Sequence, residues 1–232
     1  MNLPENLIKG VISDIYKDVI MDVKLPDDTV VPAFCPEIDY IKNLYAKGVE
    51  VWMSSVSHPQ RHLKYEIQLI NKGDGLILVN PCYIEDLFVE AFHAGVLSDF
   101  SEYTDLRKIE YGESVVRANF EFSKGRNKKC YVYLVGINNK IGPNVVFPSY
   151  ISFYEMEMFE ELRQLRKKGH ETAVVLIVPR MDCSGVKFVW SLDQIAAAKI
   201  FDEAKNGLNF FCYGCNINQR SVTISKKIKI LY

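Results

Sequence analysis

The sequence predicts an α/β (α+β) protein of two domains: an OB-like β-barrel over residues 1–80, then a mixed sheet flanked by helices over residues 81–232. Three observations support this prediction. Five short strand-like segments follow one another in the first 80 residues, which is typical of a small OB barrel. The pattern then changes to helical spacing at Asn80-Pro81. Beyond it, helices and strands alternate around one long apolar run, residues 172–178, which we expect to be the central strand.

The five predicted strands of the barrel alternate with turns. They span residues 7–12, 19–25, 30–34, 49–53 and 64–70. Pro26-Asp27-Asp28 predicts the turn between the second and third strands, because proline fixes φ and aspartate hydrogen-bonds its own backbone. The proline within residues 30–34 suggests that the third strand lies at an edge or ends there.

Basic residues lie at the start of the fifth strand. Arg61 and Lys64, with the titratable His62 between them, lie beside an aromatic residue. OB folds often bind single strands of nucleic acid through aromatic side chains and a basic groove. This cluster therefore favours phosphate contact together with base stacking, although a solvated strand edge explains the same residues equally well.

Helical spacing marks three segments after residue 80. Apolar residues recur at i, i+3, i+4, i+7 and i+8 over residues 84–92, which predicts an amphipathic helix that ends at Gly95. A strand-to-helix connection and a second helix are predicted within residues 147–173, and a third helix over residues 192–206. The last two strands are predicted over residues 208–213 and 221–231.

Composition restricts the classes of function. The 232 residues include 48% apolar side chains, enough to bury a core, but no run of about 18 apolar residues of the kind that spans a membrane. The N-terminus shows no basic segment leading into an apolar one, so we expect a cytoplasmic protein. The net charge is −1, which is not the basic excess of a protein held on nucleic acid by phosphate neutralisation alone. Any DNA affinity must therefore come from local patches, and should be weak and salt-sensitive.

Two of the six cysteines are close in sequence, in Cys212-Tyr213-Gly214-Cys215. Such a pair could be half of a zinc site or a redox pair. No second pair or histidine lies nearby, and the flanking residues have strand character. We therefore favour reduced, partly buried thiols.

A basic hairpin lies at the centre of the second half. In residues 116–122, apolar side chains alternate with Arg117, Asn119 and Glu121, which predicts a half-buried strand. Residues 123–129 form the loop, and residues 130–135 are apolar throughout, as in a strand covered on both faces. A third extended run follows.

The motifs of this hairpin carry a resemblance to a known family. Residues 116–120 read Val-Arg-Ala-Asn-Phe and residues 130–136 read Cys-Tyr-Val-Tyr-Leu-Val-Gly. They resemble the S-R-I-D-F and C-Y-V-E-V-K-N motifs of the sugar fermentation stimulation protein A (SfsA) family. The resemblance implies an OB-like barrel followed by a PD-(D/E)XK nuclease-like domain. It also implies that Asn119 stands where the family has Asp, Tyr133 where it has Glu, and Val135 where it has Lys.

These three departures remove the chemistry of a nuclease. Two carboxylates on neighbouring strands would hold Mg²⁺, and a Lys two residues after the second would position the attacking water. Asn119 offers a neutral oxygen, Tyr133 a phenol and Val135 nothing. We therefore expect a pseudoenzyme with no catalytic residue, no metal and no cofactor. Glu90, which matches a family Glu, is interpreted as a leftover or a structural residue.

Three hypotheses follow. The first, implied by the resemblance, is an SfsA-like DNA-binding protein without strong sequence preference, with a regulatory role in sugar metabolism and no membrane association. Its candidate DNA-binding residues are Arg61, Lys64, Arg117, Lys124, Arg126, Lys128 and Lys129, with the late basic patch of residues 226–229 as an addition. The second is a residual Mg²⁺ nuclease in which Glu121 replaces Asn119. The third is a scaffold that binds a protein partner through the acidic barrel half, Tyr133, Phe153 and Tyr154.

Overall fold

A computed structural model describes most of the chain, in two compact units. The described residues are 1–16, 20–36, 46–56, 62–110, 118–125, 128–148, 153–189 and 194–231. The first unit comprises Met1–Leu87, Pro179–Cys183 and Cys215–Thr223, and the second comprises Phe88–Val178, Ser184–Gly214 and Ile224–Tyr232. A single boundary at residue 80 would place residues 81–87 and two later segments in the second domain, whereas all three belong to the first unit.

The first unit contains a closed barrel. Its strands are β1 (Ile8–Tyr16), β2 (Ile20–Lys24), β3 (Val30–Phe34), β4 (Glu50–Ser55), β5 (Tyr65–Asn71) and β6 (Leu76–Leu78). They form a sheet in the order β3-β2-β1-β4-β5-β6, and an additional parallel pairing of β3 with β5 closes five of them into a barrel. The predicted OB-like barrel is therefore confirmed, with β6 as an extra strand.

Alternating side chains fill the interior of this barrel. On β2, Met21 and Val23 are fully buried, and they pack with Ile12, Val51 and Ile67 in one apolar cluster. Gly10 permits the close approach of β1 to β2, because a Cβ at this position would lie only 2.3 Å from the Val23 side chain. The outward residues of the same strands remain available at the surface.

The remaining elements include three helices and ten strands within the described residues. They are α1 (Ile84–His93), β7 (Asp105–Lys108), β8 (Phe120–Lys124), β9 (Lys128–Gly136), β10 (Lys140–Ile141), β11 (Asn144–Phe147), α2 (Phe153–Lys167), β12 (Glu171–Val178), β13 (Gly185–Phe188), α3 (Gln194–Lys205), β14 (Asn209–Ile217), β15 (Val222–Lys227) and β16 (Ile230–Leu231). None of the described helices is long and apolar enough to cross a bilayer.

Two sheets are built from these strands, where the sequence predicted one. The larger sheet has the order β15-β14-β12-β9-β8-β7, and the smaller one has the order β10-β11-β13-β16. Strand β12 runs parallel to both β9 and β14, and it is buried from Thr172 to Val178. The prediction of a central apolar strand is confirmed.

The central hairpin differs from its prediction in two details. Its strands extend further into the predicted loop, because β8 continues to Lys124 and β9 begins at Lys128. Gly125, with φ of 62°, provides the turn. Strand β9 is buried on one face only, since Tyr131, Tyr133 and Val135 on the other face are half-buried. The expectation that both faces are covered is wrong, and the half-buried face is the one that carries the motif positions.

Candidate nucleic-acid interface

The three positions that the hairpin motifs single out, those of Asn119, Tyr133 and Val135, lie close together. Asn119 immediately precedes β8, and its backbone N–H donates to the carbonyl of Val132 over 2.9 Å. Tyr133 and Val135 follow on the same face of β9. Phe120 lies opposite Val132 in this antiparallel pair, which brings the preceding Asn119 beside Tyr133. The strand pairing therefore agrees with the spacing inferred from the sequence.

Asn119 has a structural role at this place. Its side-chain oxygen Oδ1 accepts a hydrogen bond of 2.7 Å from the backbone N–H of Leu134. Leu134 lies on β9 past Val132, the last residue of β9 that pairs with β8. The Asn119 side chain therefore adds one hydrogen bond to the ladder between the two strands. The pairing of β9 with β8 therefore continues through a side chain at the point where the backbone pairing ends.

These residues do not fit a divalent metal. A hard cation such as Mg²⁺ needs anionic oxygen ligands, and the three positions offer an amide, a phenol and an aliphatic side chain. Throughout the described residues, no group of three or more His, Cys, Asp or Glu side chains could hold a metal ion. Glu90 is exposed on α1. No catalytic step can be derived from this set of side chains.

Glu121, the carboxylate considered as a substitute ligand, is held by cations. Its Oε1 accepts from the Lys129 ammonium over 2.9 Å, and its Oε2 lies 3.5 Å from the Arg107 guanidinium. Burial alone would raise its pKa, but hydrogen bonds from Lys129 and Tyr131 and the charge of Arg107 outweigh burial and hold the pKa of Glu121 below its usual range. A metal would have to displace these cations to reach the carboxylate.

Arg107 is a site residue that the sequence did not reveal. It lies on the short strand β7, directly opposite Glu121, which in turn lies opposite Tyr131 on β9. We call the surface formed by Arg107, Glu121, Lys129 and Tyr131 the hairpin face. A strand of four residues with one apolar side chain has no measurable period, so only its polar-apolar-polar order could have indicated it.

The hairpin face presents more positive than negative charge to solvent. The Arg107 side chain is 55% exposed and that of Lys129 is 38% exposed, whereas that of Glu121 is only 11% exposed. The ring of His170 packs edge-on against Tyr131 with the centroids 5.4 Å apart. Two accessible cations beside a covered carboxylate can contact phosphate oxygens.

The other predicted DNA-binding residues lie outside the hairpin face or outside the described residues. Lys124 is half-exposed at the end of β8 and forms an ion pair of 3.0 Å with Glu102. Lys64 is exposed before β5. Arg61, Arg117 and Arg126 lie outside the described residues, as does the side chain of Lys128.

Two further sequence-based suggestions can be compared with the structure. In the late basic patch, the Lys227 ammonium pairs with Asp99 over 2.6 Å and lies over the ring of Phe211, so it stabilises the unit locally. Of the residues suggested for a protein-binding patch, Tyr133 is half-buried, and the side chains of Phe153 and Tyr154 lie outside the described residues.

The cysteine pair of β14 is not a metal site. Cys212 and Cys215 are both buried, and neither forms a disulfide. They are three residues apart on one strand, so their side chains leave it on opposite faces. Burial, with a smaller contribution from Cys183, raises the pKa of Cys215 to about 12. The interpretation as buried thiols is confirmed.

We expect thiol reagents to react with the cysteines of the native protein at different rates. Cys82 is exposed and should react first, and the half-buried Cys183 should react more slowly. Cys212 and Cys215 should react only after unfolding, because a thiol that is buried and protonated is a poor nucleophile. Mass mapping of alkylated peptides, with Cys82→Ser as the control, measures this order. Rapid native labelling of Cys215 would contradict it.

Comparison with known proteins identifies the family. The model of the sugar fermentation stimulation protein (SfsA) RE domain matches residues 83–221, which is more than half of the chain. The chain belongs to the SfsA family. The resemblance inferred from the hairpin motifs is thereby confirmed.

Relatives of the SfsA family match along nearly the whole chain. The sugar fermentation stimulation protein homolog of Maricaulis maris is 28% identical over 232 residues, covering 99% of this chain and 98% of the relative. The homolog of Caulobacter vibrioides is 26% identical over 230 residues, covering 98% of this chain and 96% of the relative.

A solved SfsA structure has the same fold. Pyrococcus furiosus SfsA in complex with Ca²⁺ superposes with a TM-score of 0.82, covering 100% of this chain and 98% of that one, at 11% identity. The predicted fold class is confirmed. At this identity the likeness concerns the fold alone.

Proposed function

We propose that this SfsA-family chain binds DNA without strong sequence preference and does not cleave it. The observation that carries the proposal is the hairpin face, where two accessible cations lie beside the positions of a lost metal site. Arg107 and Lys129 can contact phosphates, and such contacts carry no sequence information. The net charge of −1 keeps the affinity weak and dependent on salt.

Loss of cleavage follows from the same side chains. The positions of Asn119, Tyr133 and Val135 supply no anionic metal ligand and no ammonium group. Glu121 is hydrogen-bonded to Lys129, so it is a poor replacement. We propose that the chain is a pseudoenzyme that needs no metal cofactor.

The cellular setting completes the proposal. All six cysteines lie outside disulfides, which suits the reducing cytoplasm, where disulfides are rare. The family description, sugar fermentation stimulation, supports a link to sugar metabolism. We propose that the protein regulates that metabolism by occupying DNA.

Binding of a labelled duplex, measured by fluorescence anisotropy across a salt series, tests the proposal. Wild-type protein should bind at low salt and release the duplex as salt rises. Arg107→Ala and Lys129→Ala should each weaken binding and reduce the slope of log K against log salt by about 1, the loss of one phosphate contact. Lys9→Ala is the matched control, because Lys9 is a half-exposed, ion-paired lysine of the barrel.

Two outcomes would contradict the proposal. Absence of duplex binding at low salt would remove DNA as the partner. Nicking of a plasmid in Mg²⁺ or Mn²⁺ that a chelator stops, and that Glu121→Ala abolishes, would instead establish the residual nuclease.

A further inference from the structure

A pocket opens on the outside of the barrel, where β2 begins and β3 ends. Its volume is about 440 Å³, and its described lining consists of Ile20, Phe34, His62 and Leu63. Three of these four side chains are apolar. Pockets of this size and character hold small molecules or single groups of a larger ligand.

Strand register places two rings on this surface in one row. Tyr16 lies opposite Ile20, and Ile20 lies opposite Phe34, so the three side chains project from the same face of β1, β2 and β3. They point outward, because the alternate residue Met21 is buried in the core. Neighbouring strands are about 4.8 Å apart, so the two aromatic residues are separated by roughly 10 Å.

Tyr16 is the accessible end of this row. Its side chain is 48% exposed, and its hydroxyl donates to Oδ2 of Asp22 over 3.2 Å. The hydrogen bond to Asp22 is the main reason that the pKa of Tyr16 is raised above its usual range, and the charges of Asp22 and Asp14 add to the effect. The phenol therefore stays neutral. The bond also orients the ring beside Ile20.

The backbone around the pocket cannot pair with a peptide strand. Strand β3 is hydrogen-bonded to β2 on one side and to β5 on the other, and β5 is also paired with β4. Barrel closure therefore leaves side chains to recognise a ligand. Flat apolar rings recognise the faces of bases, which every nucleotide offers once it is unstacked.

Charges divide the rim of the pocket into two sides. Lys64 and His62 are exposed on the β5 side, where Glu66, opposite Phe34, is half-buried and accepts a hydrogen bond from Asn80. Asp22 lies on the β2 side, and Asp14 lies there too, paired with Lys47 over 3.2 Å. A phosphate chain would follow the β5 side and be repelled by Asp22.

We propose that this pocket binds an unstacked base of single-stranded nucleic acid against Phe34, with the neighbouring base against Tyr16 and a phosphate near Lys64. This inference rests on the proposed function and adds a substrate class to it. A duplex keeps its bases stacked, so it can use the hairpin face but not the pocket.

Anisotropy of labelled oligo(dT) and of a labelled duplex, measured on the same variants, tests the inference. Tyr16→Ala should weaken oligo(dT) binding about tenfold, the size expected for loss of one stacked base, and Tyr16→Phe should restore it. Asp22→Asn should strengthen binding at low salt, because it removes a charge that repels phosphate. Val30→Ala is the matched control, since Val30 is an exposed outward residue at the other end of β3.

The outcomes separate this inference from the proposed function. If Tyr16→Ala and Phe34→Ala leave oligo(dT) affinity unchanged while Lys129→Ala weakens the duplex, the inference is wrong and the proposed function stands. The pocket would then face another occupant, such as an apolar side chain of a protein partner. If Tyr16→Ala weakens the duplex as much as oligo(dT), the pocket does not select single strands and the inference is also wrong. If neither nucleic acid binds at low salt, both fail.

Discussion

Replacing Arg166 with alanine should destabilise the second unit by about 3 kcal/mol, the cost of leaving a buried carboxylate short of its partner. Glu203 on α3 is fully buried, and Arg166 on α2 donates to its Oε2 and also to the hydroxyl of Thr172. The Arg166 side chain is only 12% exposed, so water cannot easily replace it. Lys199 lies 3.1 Å from Oε1 of Glu203 and offsets part of the loss.

Urea unfolding followed by circular dichroism measures this effect. Arg163→Ala is the matched control, because Arg163 lies one turn away on the same helix and pairs with Glu160 where both side chains are well exposed. Such surface pairs contribute little. Equal midpoints for Arg166→Ala and Arg163→Ala would show that the Glu203 pair does not hold α2 and α3 together.

Arg166 also shows where sequence-based prediction fails. It lies in the last turn of α2, where a cation complements the helix dipole, and the sequence does not show that Glu203 lies against it. The two residues are 37 positions apart, and the pairing depends on how α2 and α3 pack. Long-range ion pairs of this kind leave no periodic signal.

The elements that were predicted well from the sequence have a clear pattern of apolar residues. The five barrel strands, helix α1 and strand β12 each contain enough alternating or apolar residues to define their type. The strands that it missed, such as β6, β7 and β10, have two to four residues. The return of Pro179–Cys183 to the first unit was also missed, because it depends on the bridge between Ile77 and Arg180.

The candidate site was predictable in one respect only. Motif spacing located Asn119, Tyr133 and Val135 on neighbouring strands, and strand pairing brings them together. The sequence could describe Asn119 only as a missing carboxylate, whereas the structure shows its side chain bonded to a backbone N–H. The role of Arg107 depends on the pairing of β7 with β8, and four residues are too few to predict that pairing.

Replacing Asn119 with alanine should therefore cost about 1–3 kcal/mol of unfolding free energy, because the backbone N–H of the buried Leu134 would lose its acceptor. Asn119→Asp should remain close to wild type at neutral pH, since a carboxylate oxygen can accept the same bond. Urea midpoints of both variants measure the difference. Ser123→Ala is the control on the same strand, because Ser123 pairs with Lys129 through its backbone and the alanine variant keeps that pairing.

The aspartate variant also distinguishes a structural position from a metal position. Asn119→Asp restores one carboxylate but leaves Tyr133 and Val135, so calorimetric titration should detect no Mg²⁺ or Mn²⁺ binding by either protein. If Asn119→Asp gains a metal, one restored ligand is enough and the site is less eroded than its side chains indicate. If Asn119→Ala unfolds at the wild-type midpoint, the bond to Leu134 does not stabilise the hairpin. The expected pattern, in which alanine costs stability and aspartate adds no metal, would mean that this position now serves the fold.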